Sequence, residues 1–220
     1  MTAIGSDWAW ALDSSDSGFF SLVGCLTFVR GRSARQVLEG FGVDPGTVRE
    51  MTHDELCADP VFDTADFDTG PFWVRVAESG DWTIAIEYLQ LRGWLGNIGC
   101  KLSRGTEVLT VARTIKGPAG VDYHRDREWV TSFHIGAGYD TRAGTHRDHF
   151  GPLLTAHGLA GVDDRTLPDD GAGPREQLVG VLDMFTAEFG FRLPYATFDG
   201  PLPAGYRTEP YTFHSAHPDD

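Results

Sequence analysis

Residues 72–88 read FWVRVAESGDWTIAIEY, and this stretch decides the fold. Phe72 to Ala77 and Trp82 to Tyr88 each alternate with the period of two that sends successive side chains to opposite faces of a strand. Between them Glu78-Ser79-Gly80-Asp81 supplies residues that favour a chain reversal, so the pair predicts an antiparallel hairpin. In the second strand Trp82, Ile84, Ile86 and Tyr88 share one face, expected to pack inward, while Thr83, Ala85 and Glu87 share the other.

Downstream, Glu107 to Arg113 and the alternating Trp129, Thr131, Phe133 and Ile135 continue the pattern, so residues 72–135 read as an antiparallel meander of three or four strands. Trp94 to Leu102 predicts a helix despite its glycines. Upstream, Phe19 to Val29 is almost continuously apolar or β-branched, which suits a central strand covered on both faces. Ser33 with Gln36, and Thr52 with Glu55, have the spacing of capping boxes and predict two short helices. The segment Trp8-Ala9-Trp10-Ala11-Leu12 reads as a small helix or a docking strand.

Beyond Gly136 a Gly, Asp, Thr, Arg and His composition predicts an exposed loop, followed by a short helix over Phe150 to His157. Residues 161–173 read as a solvated linker. Pro174 then opens a helix on which Leu178, Val181, Leu182, Phe185 and Phe189 keep helical spacing. From Leu193 the prolines predict an extended tail. The expected class is therefore α+β: an antiparallel meander sheet, short helices packed on one face, and a longer C-terminal helix. Residues 1–160 are expected to form the α+β core domain, with linker, C-terminal helix and tail (residues 161–220) packed on the same core.

Lys and Arg total 18 against 32 Asp and Glu, a formal net charge of −14, which repels phosphate backbones and anionic lipid. Neither nucleic acid nor membrane is expected as a partner; a basic protein partner would suit the charge. Cys25, Cys57 and Cys100 lie far apart without metal-ligand or CxxC spacing and read as reduced core residues. The N-terminus lacks the basic and apolar regions of a signal peptide, and no apolar run approaches the roughly 20 residues of a membrane helix. The expected location is the cytoplasm.

Trp8-Ala9-Trp10, Cys25 to Gly31 (CLTFVRG), Phe41 to Pro45, Trp82 to Glu87, Leu102 to Val108 (LSRGTEV) and Val130 to Phe133 (VTSF) follow one another in order. In these segments the chain resembles a family of uncharacterised actinobacterial, Streptomyces-type proteins over residues 8–160. The resemblance implies a shared small α+β domain and brings no assigned catalytic residues.

Candidate site residues come from chemistry alone. His124, His134, His146, His149 and His157 cluster in sequence, with His214 and His217 in the tail, and His146 and His149 are the pair best spaced to ligate a metal. No HExxH or facial-triad pattern accompanies them, and surface or hydrogen-bonding histidines explain them as well. Asp63, Asp66 and Asp68 give an incomplete calcium-loop pattern, equally a solvated acidic loop. Glu87 and Arg104, if they met in a cleft, could form a general base beside an anion-binding guanidinium, or a structural ion pair. Ser132 and His134 share a strand face without an identifiable third member. No phosphate-binding glycine motif occurs, and Gly136-Ala137-Gly138 is a loop.

Trp8, Trp10, Trp73, Trp94 and Tyr139 could line a ligand or partner surface, although core and rim positions suit such residues too. No cofactor is expected. The function class favoured by acidity, aromatic richness and the lack of a catalytic motif is a non-enzymatic binding protein, an immunity or regulatory partner of another bacterial protein. Its rival is a small enzyme or ligand-binding protein with a pocket between sheet and helices, metal-dependent through the histidines.

Overall fold

The computed structural model describes residues 7–12, 19–20, 23–63, 71–95, 97–114, 118–137, 139–161 and 174–207. In chain order the elements are β1 (Gly24–Arg30), α1 (Ala34–Phe41), β2 (Arg49–Met51), α2 (His53–Cys57), α3 (Pro60–Asp63), β3 (Phe72–Ser79), β4 (Trp82–Tyr88), α4 (Arg92–Leu95), α5 (Ile98–Leu102), β5 (Glu107–Arg113), β6 (Ala119–Arg125), β7 (Glu128–Ile135), α6 (Gly151–Ala156), α7 (Pro174–Phe189), α8 (Tyr195–Asp199) and β8 (Leu202–Arg207). All strands join one antiparallel sheet in the order β2-β8-β3-β4-β1-β5-β6-β7. The predicted α+β class holds.

The β3–β4 hairpin forms with Ser79 opposite Trp82, so the reversal is confined to Gly80 and Asp81. The sheet departs from a simple meander at the next step. β1 inserts between β4 and β5, pairing Leu26 with Ile86 on one side and with Val111 on the other. Its apolar run marks it as a strand flanked and covered on all sides, and every residue from Gly24 to Val29 is buried. Alternation within a strand says which face is apolar but not which strand is the neighbour.

Helices cover both faces. On one, Leu178, Val181, Leu182 and Phe185 of α7 pack with Leu26, Phe28, Ile84, Leu109, Val121 and Phe133 in the principal core. On the other, Val37, Leu38 and Phe41 of α1 with Ile98 and Leu102 of α5 pack on Val29, Val74, Val76, Ala85 and Val108. Thr83, Ala85 and Glu87 are therefore buried as completely as the Trp82 face, because a second helical layer lies over them.

Both capping boxes form. Ser33 Oγ accepts the Gln36 N–H and Gln36 Oε1 accepts the Ser33 N–H; Thr52 and Glu55 repeat the arrangement. Three expectations need revision. The helix expected over Trp94 to Leu102 is two short helices, α4 and α5. β6 was not anticipated, because Asp122 and His124 interrupt its apolar pattern. The tail from Leu193 is not a surface wrap: β8 enters the sheet between β2 and β3. The aromatic N-terminus docks as a 3₁₀ turn (Ala9–Leu12), where the Trp8 indole N–H donates to Thr186 Oγ1 of α7 at 2.8 Å.

Candidate functional site

Across four strands, Thr27 of β1, Thr110 of β5, Asp122 of β6 and Ser132 of β7 stand side by side in register. In the adjacent row Glu87, Cys25, Ala112, Gly120 and His134 do the same. Residues paired directly across strands, and residues two apart along a strand, share a face. All of these therefore look toward α4 and α5, while Leu26, Leu109, Val111, Val121 and Phe133 fill the opposite face. A polar stripe on a covered sheet face opposes the hydrophobic gain of folding, since each polar group must find a partner there.

One half of the stripe lies beneath α4. The Arg92 and Gly93 backbone N–H groups donate to Glu87 Oε1 and Oε2 at 2.7 and 2.8 Å, so this carboxyl terminates the free end of the helix. Burial pushes Glu87 up to about 7, against the lowering effect of those N–H groups, the Cys25 thiol and the Arg92 charge. Burial and the Glu87 charge likewise raise the Cys25 thiol. The approach is so close that a Cβ on Gly93 would lie 2.2 Å from Thr27 Oγ1.

The other half is only partly covered and forms a polar shelf. Asp122, Ser132, His124 and His134 keep partial solvent contact, with Trp94 half-buried and Trp129 exposed beside them. Trp94 lies over Gly120, where a Cβ would come within 2.5 Å of Cζ2, and its ring centre is 5.7 Å from that of His134. Burial pushes the Asp122 carboxyl up to about 7, against the lowering effect of the Trp129 side chain. Burial lowers His124 to about 4 and also lowers His134, so both imidazoles are neutral at neutral pH. Thr110 Oγ1, His124 Nδ1 and His134 Nδ1 have no hydrogen-bond partner. The shelf thus offers a carboxyl raised to about 7, unsatisfied polar atoms and aromatic flanks, which makes it the candidate site.

The sequence candidates separate. Glu87 and Arg104 do not meet: Arg104 is exposed in the turn after α5, its carbonyl accepting the Arg32 guanidinium, and Arg92 is the cation that acts on Glu87. Trp8 is fully buried against Phe28 and Phe191 and presents no surface. Its apolar ring and single donor suit the core, where Thr186 satisfies the indole. Trp10 is half-buried, its indole bonded to the Leu193 carbonyl and its ring 4.4 Å from Phe198. Trp94 flanks the shelf, and Tyr139 is exposed in the loop after β7. His146 faces Glu128 at 3.9 Å, whereas His149 stacks on Tyr123 at 5.2 Å, so the two are engaged with different partners. Among the described residues no group of three potential metal ligands gathers. The Asp63 side chain, Asp66, Asp68, His214 and His217 lie outside the described residues.

Asp122 is the residue that sequence reasoning missed. It supplies the neighbour of Ser132 and His134 that was not identifiable while β6 was unrecognised. The signal was the alternation of Val121 and Tyr123 with Asp122 and His124, which only a strand puts on two faces.

The fold and site together define a three-layer α+β protein with a polar stripe on one face of an antiparallel sheet. The chain belongs to DUF6461, a family of unknown function, whose model matches residues 1–179. No curated protein and no solved structure matches the chain. Among the described residues no helix is long and apolar enough to cross a membrane.

Proposed function

We propose that this chain is a binding protein for a small polar molecule, held on the shelf where Asp122, Ser132, His124 and His134 form the floor and Trp94 and Trp129 flank it. The supporting observation is the in-register placement of Asp122 opposite Ser132, beside polar atoms of Thr110 and both histidines that have no partner within the protein. Aromatic flanks favour a ligand with a flat or apolar face, and a floor without a cation favours a neutral or cationic ligand over a phosphorylated one. The three free cysteines suit a reducing compartment, and we place the protein in the cytoplasm. Ligand-observed NMR with a fragment collection, run on the wild type and on Asp122→Asn, tests this reading. Hits lost in the variant support it; an identical set of hits on both proteins refutes it.

A second reading is supported by exposed apolar side chains. Leu95, next to Trp94, and Trp129 are each 45% exposed, and Tyr139 in the loop after β7 is 53% exposed, apolar surface that a protein partner could cover. With a net charge of −14 that partner would be basic, and the chain would act as its immunity or regulatory counterpart. Affinity purification from the native host should then recover one stoichiometric basic protein, whereas recovery of none would remove this reading.

A further inference from the structure

On the sheet face opposite the Asp122 shelf, β3 carries Trp73 and Arg75 two residues apart, exposed by only 2% and 1%. The Arg75 guanidinium lies 5.7 Å from the Phe198 ring centre, and Nη2 donates to the Gly200 carbonyl at 2.6 Å. Arg75 Nε and Nη1 and the Trp73 indole N–H have no acceptor. The Asp199 carboxylate acts on Arg75 only through space, and burial holds the guanidinium down to about 10, so it is charged at neutral pH. Three buried donor atoms on one strand face without an acceptor are costly, and a buried cation is costlier still unless paired.

The surroundings are less closed than these two residues. His53 and Cys57 of α2 and Tyr88 of β4 are half-buried. The His53 ring stands 4.8 Å from both Tyr88 and Phe198, so it lies between α8 and the sheet. Burial, with the Arg75 charge, lowers His53 below its ordinary value, and the Arg49 guanidinium lies 5.0 Å from the Trp73 ring centre. Leu56 and Cys57 of α2 pack with Trp73. The indole is thus covered by Leu56 and Cys57 of α2 with Arg49 and Tyr206, and the guanidinium by Phe198 and Gly200 at α8.

We propose that Trp73 and Arg75 form an oxyanion site, in which the carboxylate or phosphate group of a small ligand enters beside α2 and accepts from the Arg75 guanidinium and the Trp73 indole N–H. An arginine fork suits either group, since both present planar or tetrahedral oxygens to parallel N–H donors. The site is independent of the Asp122 shelf, on the other side of the sheet.

The test is a titration of the full chain, labelled with ¹⁵N at its tryptophan indoles, with acetate in one arm and inorganic phosphate in the other, against chloride at matched ionic strength. A saturable shift of the Trp73 indole resonance with acetate assigns a carboxylate, with phosphate a phosphate group, and with both an unselective oxyanion site. Arg75→Met should weaken that binding at least tenfold. Should Arg75→Met fail to fold, Trp73→Phe serves: the rise in Tm given by the effective anion should shrink. No saturable shift with either anion, an unchanged affinity in Arg75→Met, or an undiminished Tm rise in Trp73→Phe overturns the proposal.

Discussion

Asp122 on β6 stands directly opposite Ser132 on β7, and burial pushes its carboxyl up to about 7 against the lowering effect of the Trp129 side chain. No cation contributes to that balance, so the proton is retained where an exposed aspartate would have lost it.

The pH dependence of stability follows from this. A carboxyl raised from 3.8 to about 7 binds its proton more tightly in the folded chain, so its contribution is fully present below pH 4 and is lost as pH climbs through 7. His124, lowered to about 4, acts in the other direction: its contribution is present above 6.5 and lost as pH falls. Comparing Asp122→Asn with the wild type isolates the first effect. Urea denaturation should show the difference moving in favour of the variant between pH 5 and pH 8 by on the order of 2 kcal/mol. A constant difference across that range would refute the assignment.

Glu87 is expected to be structural. Glu87→Ala removes the acceptor for both the Arg92 and Gly93 backbone N–H groups and leaves a void beneath α4. The expected loss is about 2–5 kcal/mol in urea denaturation at pH 6, combining unsatisfied donors with a cavity. A loss below about 1 kcal/mol would mean that solvent or another acceptor reaches those groups.

Close approach of α4 to the sheet predicts unequal responses to one substitution. Gly93→Ala brings a methyl to 2.2 Å from Thr27 Oγ1 and 2.8 Å from Glu87 Oε2, whereas Gly151→Ala meets nothing within 4 Å. Thermal unfolding should show Gly93→Ala destabilised by about 1–3 kcal/mol and Gly151→Ala unchanged or slightly stabilised. Equal effects would mean that α4 lies further from Thr27 than a 2.2 Å approach allows.

Gly120→Ala addresses the shelf itself. The new methyl would lie 2.5 Å from Trp94 Cζ2, in a position the ring must vacate. Tryptophan emission should change, and any ligand whose binding depends on Asp122 should bind at least several-fold more weakly. Unaltered emission would show that Trp94 does not rest on Gly120.

The hairpin of β3 and β4 and both capping boxes were legible because each is set by residues within a few positions of one another. The insertion of β1 between β4 and β5 was not, because strand order depends on contacts that local alternation does not encode. Glu87 was singled out as a glutamate on an apolar strand, but its partners are the backbone of α4, whose position after Leu91 no pattern of side chains announces. Trp8 illustrates the converse: surface and core both suit such an aromatic in the sequence, and Thr186, 178 positions away, decides for the core by supplying the acceptor for its indole. Asp122 stayed hidden because the polar half of β6 is what makes it useful, and polarity is also what disguises a strand.

The most direct test is a map of where ligands bind, read from the indole resonances of the six tryptophans. With a fragment that requires Asp122, the Trp94 and Trp129 signals should move saturably while those of Trp8 and Trp82, buried on the α7 side of the sheet, stay still. Stationary Trp94 and Trp129 signals with every binding fragment would contradict a site on the Asp122 shelf.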